Sequence, residues 1–444
     1  MNELETWTAQ PNHGWTLVKN HPLNDKNFLS NEIYNILTNL NLLRKLDLTN
    51  CSIGKPPPDE PMRRHSAIAT IGTVMRSGKT QLSRISIGKN NITEADLNKL
   101  IQGIKEHKKS IKELYINDCG LEKDMIELIL NALYEKSPDQ IISLDLSSKI
   151  NNGMTIDPVL VEKMIINFKR LEILRMRGHN LLNTNYNFML ESSRLRELDL
   201  GGSKMNSDII ARLCKWIQTP SFNCIESLHL GDCNLNGKNV YDILVSITQS
   251  GNRSMHLNLE YNPIMKEVMH LPKLHSAILQ GEGPKSISFA RIEWDDSTLR
   301  EFIDCLRDNQ TITHLNLSDI SMRDTDEISE DTVRMLTSLF ERNTCLTELE
   351  LNFVYNKVVR SPLSAFQKRS LICNAIVQAL PGLRHNASLQ HLDISNLNIE
   401  DAGAFALARV LKTNKNLQSI IIEENNASLL LCHIIYERLM ILFP

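Results

Sequence analysis

Aromatic residues make up only 5% of this 444-residue chain, and neither charge sign dominates: 49 Lys and Arg stand against 52 Asp and Glu, for a formal net charge of −3. A core of stacked aromatic rings is therefore not expected, and no overall basic balance is present to neutralise phosphate backbones or anionic lipid. Nucleic acid is not an expected partner. The longest apolar run, SLLLCHIIYERLMILF, is broken by His433, Glu437 and Arg438 and is too short for a bilayer, so no membrane span is expected. The opening MNELETWTAQPNHGW lacks a basic segment followed by an apolar one, so it does not read as a secretory signal.

Signatures of chemistry are scarce too. The sequence holds no HExxH, no CxxC pair, no DxDxDG loop and no GxSxG elbow, which removes the strong markers of zinc, calcium and hydrolase sites. The string GTVMRSGKT at 72–80 has five residues between its glycines, where a phosphate-binding loop has four. Its order is also reversed, with a helical segment before it and a strand after it, so its backbone amides would not converge on a phosphate. No cofactor, metal or catalytic residue is assigned, and an enzyme is not expected. The nine cysteines are odd in number, and Cys51, Cys119 and Cys233 recur at one pattern position, which indicates buried thiols in a reducing compartment.

What is present is a repeat. Leu389 to Ile422, LQHLDISNLNIEDAGAFALARVLKTNKNLQSIII, reads as strand, turn, helix and the next strand. The same strand pattern recurs with its second apolar anchor at 46, 85, 114, 144, 174, 198, 228, 257, 287, 315, 349, 392 and 420. Successive spacings are 39, 29, 30, 30, 24, 30, 29, 30, 28, 34, 43 and 28. Eight of the twelve fall between 28 and 30, which identifies a stacked array rather than several ordinary domains.

Over about residues 43–427 the pattern resembles the leucine-rich repeat family, in the long-repeat subclass typified by ribonuclease inhibitor. That resemblance implies an α/β solenoid of about thirteen repeats: a right-handed horseshoe with a parallel sheet on the concave face and helices on the convex face. It also implies Asn or Cys at a turn position, where the side chain satisfies backbone groups. Here the position holds Cys51, Asn90, Cys119, Cys233, Asn262 and Asn425, and departs to Lys149, His179, Ser203, Ile292, Ile320, Val354 and Leu397. Less regular turns are expected in the C-terminal half. Residues 1–42 are expected to form a helical cap or degenerate repeat, with WTLVKNHPL as a degenerate strand and Trp15 opposite Leu46, and residues 428–444 a capping helix.

Surplus length falls after the strand turn at about 54–64, 322–331 and 354–369, placing extra loops on one edge of the array. Candidate partner contacts there are Arg63, Arg64, Arg360, Phe366, Lys368 and Arg369. Along the strands, side chains flanking each anchor face outward. Those columns single out Tyr115, Arg175, Arg177, His229 and His256, with Tyr261 and Trp294 at the turns, residue types enriched where proteins bind proteins. Asp145, Arg175 and Asp199 are expected to form a charge ladder. The reading is a monomeric, non-enzymatic scaffold that binds a partner protein on its concave face and loop edge. It resembles the leucine-rich repeat effectors that intracellular bacteria inject into host cells, which would make the partner a host protein and the location cytosolic. The alternative is a small-GTPase regulator similar to the Ran GTPase activators.

Overall fold

The computed structural model describes residues 7–10, 14–18, 34, 37–38, 43–51, 67–148, 159, 166–179, 194–323, 328–353 and 363–426, with the side chains of 7–18 and 363–369 excepted. It divides into two compact units, Met1–Lys204 with Pro220–Ile225, and Met205–Thr219 with Glu226–Pro444.

In the first unit β1 (Trp7–Gln10) pairs antiparallel with β2 (Gly14–Val18), which runs parallel to β3 (Leu43–Asp47). A register shift between Trp15 and Thr16 sets Leu17 opposite Leu46. Trp15, the residue expected there from spacing, lies opposite Leu43 instead. Parallel pairing continues through β4 (Arg84–Ser86), β5 (Glu113–Tyr115), β6 (Ser143–Asp145), β7 (Ile173–Arg175) and β8 (Glu197–Asp199). The anchors Leu46, Ile85, Leu114, Leu144, Leu174 and Leu198 stand in one register.

The second unit repeats the scheme. Strands β9 (Ser227–His229), β10 (His256–Asn258), β11 (Ser286–Ser288), β13 (His314–Asn316), β15 (Glu348–Glu350), β16 (His391–Asp393) and β17 (Ser419–Ile421) are parallel, with Leu228, Leu257, Ile287, Leu315, Leu349, Leu392 and Ile420 aligned. Twelve of the thirteen anchors, from Leu46 to Leu392, are buried. Each contributes roughly 2 kcal/mol by leaving water, so the periodic spacing in the sequence is the hydrophobic core itself.

Helices return the chain between strands. In the first unit these are α1 (Ala67–Arg76), α2 (Glu94–Glu106) and α3 (Lys123–Lys136); in the second, α4 (Ser207–Ile217), α5 (Gly237–Ser250), α6 (Leu271–Leu279), α7 (Asp296–Asp308), α8 (Glu330–Arg342), α9 (Leu363–Ala379) and α10 (Asp401–Thr413). Many start on a polar cap: Thr93, Asn206, Asp295 and Ser329 each accept a hydrogen bond from the backbone amide three residues on. The glycine-containing string at 72–80 has a packing role. Gly72 lies inside α1, where an added Cβ would sit 2.2 Å from the Lys99 carbonyl oxygen of α2. Gly78 ends that helix at φ +68 ahead of β4, so helix precedes strand and no phosphate cradle forms.

The turns are built on buried amides. Asn90 Nδ2 donates to the carbonyls of Leu48 (2.8 Å) and Ile87 (2.9 Å), while its Oδ1 accepts from Cys51 N. Buried Asn262 does the same in the second unit, and half-buried Asn425 donates likewise to Ile394 and Ile422 while accepting from Ile399 N. Where the position departs, other groups take over. His179 is fully buried and its Nε2 reaches the Leu146 carbonyl at 2.8 Å. At Ile292 and Ile320 the chain forms an extra parallel ladder, β12 (Glu293–Trp294) with β14 (Ser321–Met322). The expectation of less regular turns therefore fails at these repeats. Arg291, Asp319 and Asn396 keep the left-handed φ of 59°, 54° and 58° that Asp232 shows at 56°.

A second amide ladder lies at the helix ends of the second unit. Asn309, Asn343, Asn386 and Asn414 each donate to a carbonyl near the end of the preceding repeat's helical segment and accept from their own backbone two and three residues on. The pattern Asn-x-x-Leu/Ile before each strand was present in the sequence as a signal.

The proposed insertion at 354–369 is shorter as a loop than its spacing implies, because α9 begins at Leu363. Phe366, Lys368 and Arg369 fall on that helix with side chains outside the described residues; Arg63, Arg64 and Arg360 lie outside them entirely. The end segments assigned as caps are also mostly outside. No described helix is long and apolar enough to cross a membrane.

Candidate functional site

The open face of each sheet carries the outward columns, held at fixed spacing by the ladder. In the first unit Tyr115 is half-buried on β5, with the Arg84 guanidinium 4.8 Å from its ring centre and its hydroxyl 3.2 Å from Glu113 Oε2. Arg84 also reaches Glu113 at 3.2 Å. Burial raises the Tyr115 pKa above its usual value, so the phenol is a neutral donor in this setting.

Arg175 forms a fork to Glu197, with Nε 2.5 Å from Oε1 and Nη2 3.0 Å from Oε2. Asp145 stands 3.8 Å from its Nη1. The expected ladder is thereby corrected. The bidentate partner is Glu197, diagonal to Arg175 across β7 and β8, whereas Asp199 turns its carboxylate to the Gly201 amide at 2.8 Å. The Glu197 hydrogen bond raises the Arg175 pKa, and burial raises that of Asp145. Arg177 lies against Gly201, where an added Cβ would meet its Nη1 at 3.1 Å.

In the second unit the register lines up His256, Ser286, His314, Glu348 and His391 in one column. His229 Nε2 is 2.8 Å from Ser227 Oγ, and its ring centre is 6.0 Å from that of His256. His256 Nδ1 meets Ser286 Oγ at 2.8 Å, and His314 Nε2 lies 2.9 Å from Glu348.

Burial, followed by the charges of His229 and His314, lowers the His256 pKa to about 4. An unfolded imidazole binds its proton near pH 6.5, so this site favours folding above that pH and loses its contribution as pH falls from about 6.5 towards 4. Screening at a half-buried ring leaves a loss of about 2 kcal/mol. Asp145 and Glu350, whose pKa values are raised, act in the opposite direction, so the test is a difference. Urea denaturation should show the stability gap between the wild type and His256→Gln shrinking by about 2 kcal/mol from pH 7 to pH 4; parallel pH profiles would contradict it.

At the turns Tyr261 is 52% exposed, with the Arg291 guanidinium 5.0 Å from its ring centre. Arg291 lies 3.5 Å from Glu260 and 3.2 Å from Asp319. Trp294, assigned from the sequence as a contact residue, is fully buried. Its ring packs 4.7 Å from Phe302, and Phe302 lies 5.1 Å from Phe289. The extra β12–β14 ladder directs it inward, so it is a core residue.

Sequence reasoning missed Arg84, Glu197 and Arg291. Arg291 was the most accessible of the three, since it shares the left-handed turn position with Asp232, Tyr261 and Asp319. Among the described residues no group of three His, Cys, Asp or Glu side chains is arranged to hold a metal ion. Cys119 is buried, donates to the Ile87 carbonyl at 3.1 Å and has its pKa pushed up to about 12 by burial, the behaviour of a structural thiol.

In-register anchors, left-handed turns and the buried Asn ladder settle the architecture. The fold is that of a leucine-rich repeat solenoid. No family model matches the chain. It is 27% identical over 259 residues to the mouse NACHT, LRR and PYD domains-containing protein 4E, covering 57% of this chain and 24% of that protein. It is 21% identical over 374 residues to mouse ribonuclease inhibitor, covering 83% and 74%. The chain thus spans about a quarter of the first relative's length and about three-quarters of the second's. Among solved structures, the TLR13–ssRNA13 complex has a TM-score of 0.43 at 15% identity, covering 88% of this chain and 51% of that one.

Proposed function

We propose that the chain is a non-enzymatic module that binds another protein across the outward columns of its strands. The observation that carries this reading is the pair of cation–aromatic platforms, Arg84 over Tyr115 and Arg291 over Tyr261. Large side chains already held in place lose little entropy when a partner docks, and these residue types dominate binding energy at protein interfaces. Similarity to a protein named ribonuclease inhibitor supports binding to another protein as a mode of action. The structural thiol of Cys119 suits a reducing compartment.

In its finer form the partner is a host protein and the chain an injected effector. The alternative is a role like that of the Ran GTPase activators. Arg175 and Arg291 are both held by this chain's own carboxylates, which favours binding over supplying a cation to a nucleotide. Stimulation of GTP hydrolysis by orders of magnitude, in a panel of small GTPases, would reverse that preference. Alanine at Arg175, Arg177 and His229 together is expected to weaken partner capture about tenfold or more while the protein stays folded.

A further inference from the structure

The open face of the second unit holds a depression of about 250 Å³ running from β10 to β15. Three carboxylates line it, Glu260, Asp319 and Glu350, against the single guanidinium of Arg291. Arg291 is committed to the first two, at 3.5 Å and 3.2 Å, and their side chains are only 14% and 8% exposed. Glu350 is left over. Its Oε2 accepts from Asn316 Nδ2 at 2.7 Å, and it has no cationic partner among the described residues. A neutral amide does not discharge a carboxylate, so the depression keeps an uncompensated negative charge at the end away from Arg291.

A second observation is independent of charge. Ser318 lines the same depression, is 6% exposed, and its hydroxyl has no hydrogen-bond partner among the described residues. A buried hydroxyl without a partner carries an uncompensated desolvation penalty, which a ligand supplying a donor removes. Burial and the neighbouring Asp393 and Glu348 charges raise the Glu350 pKa, so the surroundings favour any change that brings positive charge to it.

We propose that this depression receives a cationic side chain, arginine or lysine, of the bound protein, with Glu350 as its counter-charge and Ser318 as a further hydrogen-bond partner. The assignment rests on the protein-binding reading above and adds the chemistry of the partner at one position. A guanidinium or ammonium is small enough for the volume and supplies only donors, which matches a carboxylate and a hydroxyl oxygen. It would stand beyond Arg291, extending the row of alternating charge already set by Glu260, Arg291 and Asp319.

The test uses the full chain and a Gly-Arg-Arg-Gly peptide, with the citrulline peptide of the same shape as the neutral probe, measured by calorimetry at low ionic strength. The arginine peptide should bind and the citrulline peptide should bind at least about tenfold more weakly. Glu350→Gln should weaken the arginine peptide about fivefold or more, whereas Glu330→Gln, which removes an equal charge from the exposed face of α8, should change it less than about twofold. Arg291→Gln provides a second variant and should tighten binding, because it removes a positive charge that borders the depression. Equal effects of Glu350→Gln and Glu330→Gln, or equal binding of both peptides, would overturn the assignment. If the peptide results fail while the Arg175, Arg177 and His229 variant still loses captured partners, only the cation site falls; if that variant keeps every partner, the binding reading itself falls.

Discussion

Asn262→Ala is expected to lower the unfolding free energy by about 4 kcal/mol, a large loss for one small side chain. The reason is the number of backbone groups that depend on this amide. Its Oδ1 accepts from Cys233 N and Leu235 N, both at 2.9 Å, and its Nδ2 donates to Leu230 O at 2.8 Å and Leu259 O at 2.9 Å. The residue is 2% exposed, so water cannot simply replace it. Four buried groups left unpaired, at about 1 kcal/mol each after relaxation, give the estimate. Asn262→Asp is expected to cost at least as much. A carboxylate keeps the acceptor but confronts the carbonyls of Leu230 and Leu259 with negative charge where they now receive donors. Urea denaturation of the variants measures both; a loss below about 1 kcal/mol for alanine would show that the turn is held by other means.

Trp294→Ala is the second large effect, at about 3–5 kcal/mol, because it empties a fully buried indole site beside Phe302 and Phe289. Trp294→Phe should cost far less than alanine. The indole Nε1 has no hydrogen-bond partner among the described residues, so phenylalanine removes a buried donor as well as part of the ring. Both variants should retain partner binding at temperatures where they are folded. A Trp294→Phe protein of unchanged stability that no longer binds would return this residue to the contact surface.

The sequence carried the ladder almost completely, and the physical reason is that backbone geometry imposes it. In-register parallel strands bury the same apolar positions in every repeat, so spacing alone locates Leu46 to Leu392. The turn amides were legible for the same reason, as Asn90 and Asn262 show. Side-chain partnerships were less legible. Arg175 pairs diagonally with Glu197 because its side chain reaches past the adjacent Asp199, a choice of rotamer that register does not fix. Trp294 is a core residue and not a contact residue because Ile292 and Ile320, which depart from the Asn or Cys turn pattern, precede the strands of a second ladder. The Asn309, Asn343, Asn386 and Asn414 series is less legible because it lies at the helix ends, outside the strand-turn pattern that sets the repeat spacing.

The outward columns are proposed as the binding surface, and the measurement that bears on this most directly is quantitative crosslinked capture from cell lysate with three forms of the chain. One is the wild type, one carries alanine at Arg175, Arg177 and His229, and one carries alanine at Lys105, Lys215 and Glu341, exposed residues on α2, α4 and α8. With all three shown to be folded, the strand-face variant should lose about tenfold or more of a partner that the helix-face variant retains. Full retention by the strand-face variant, with loss confined to the helix-face variant, would contradict the account.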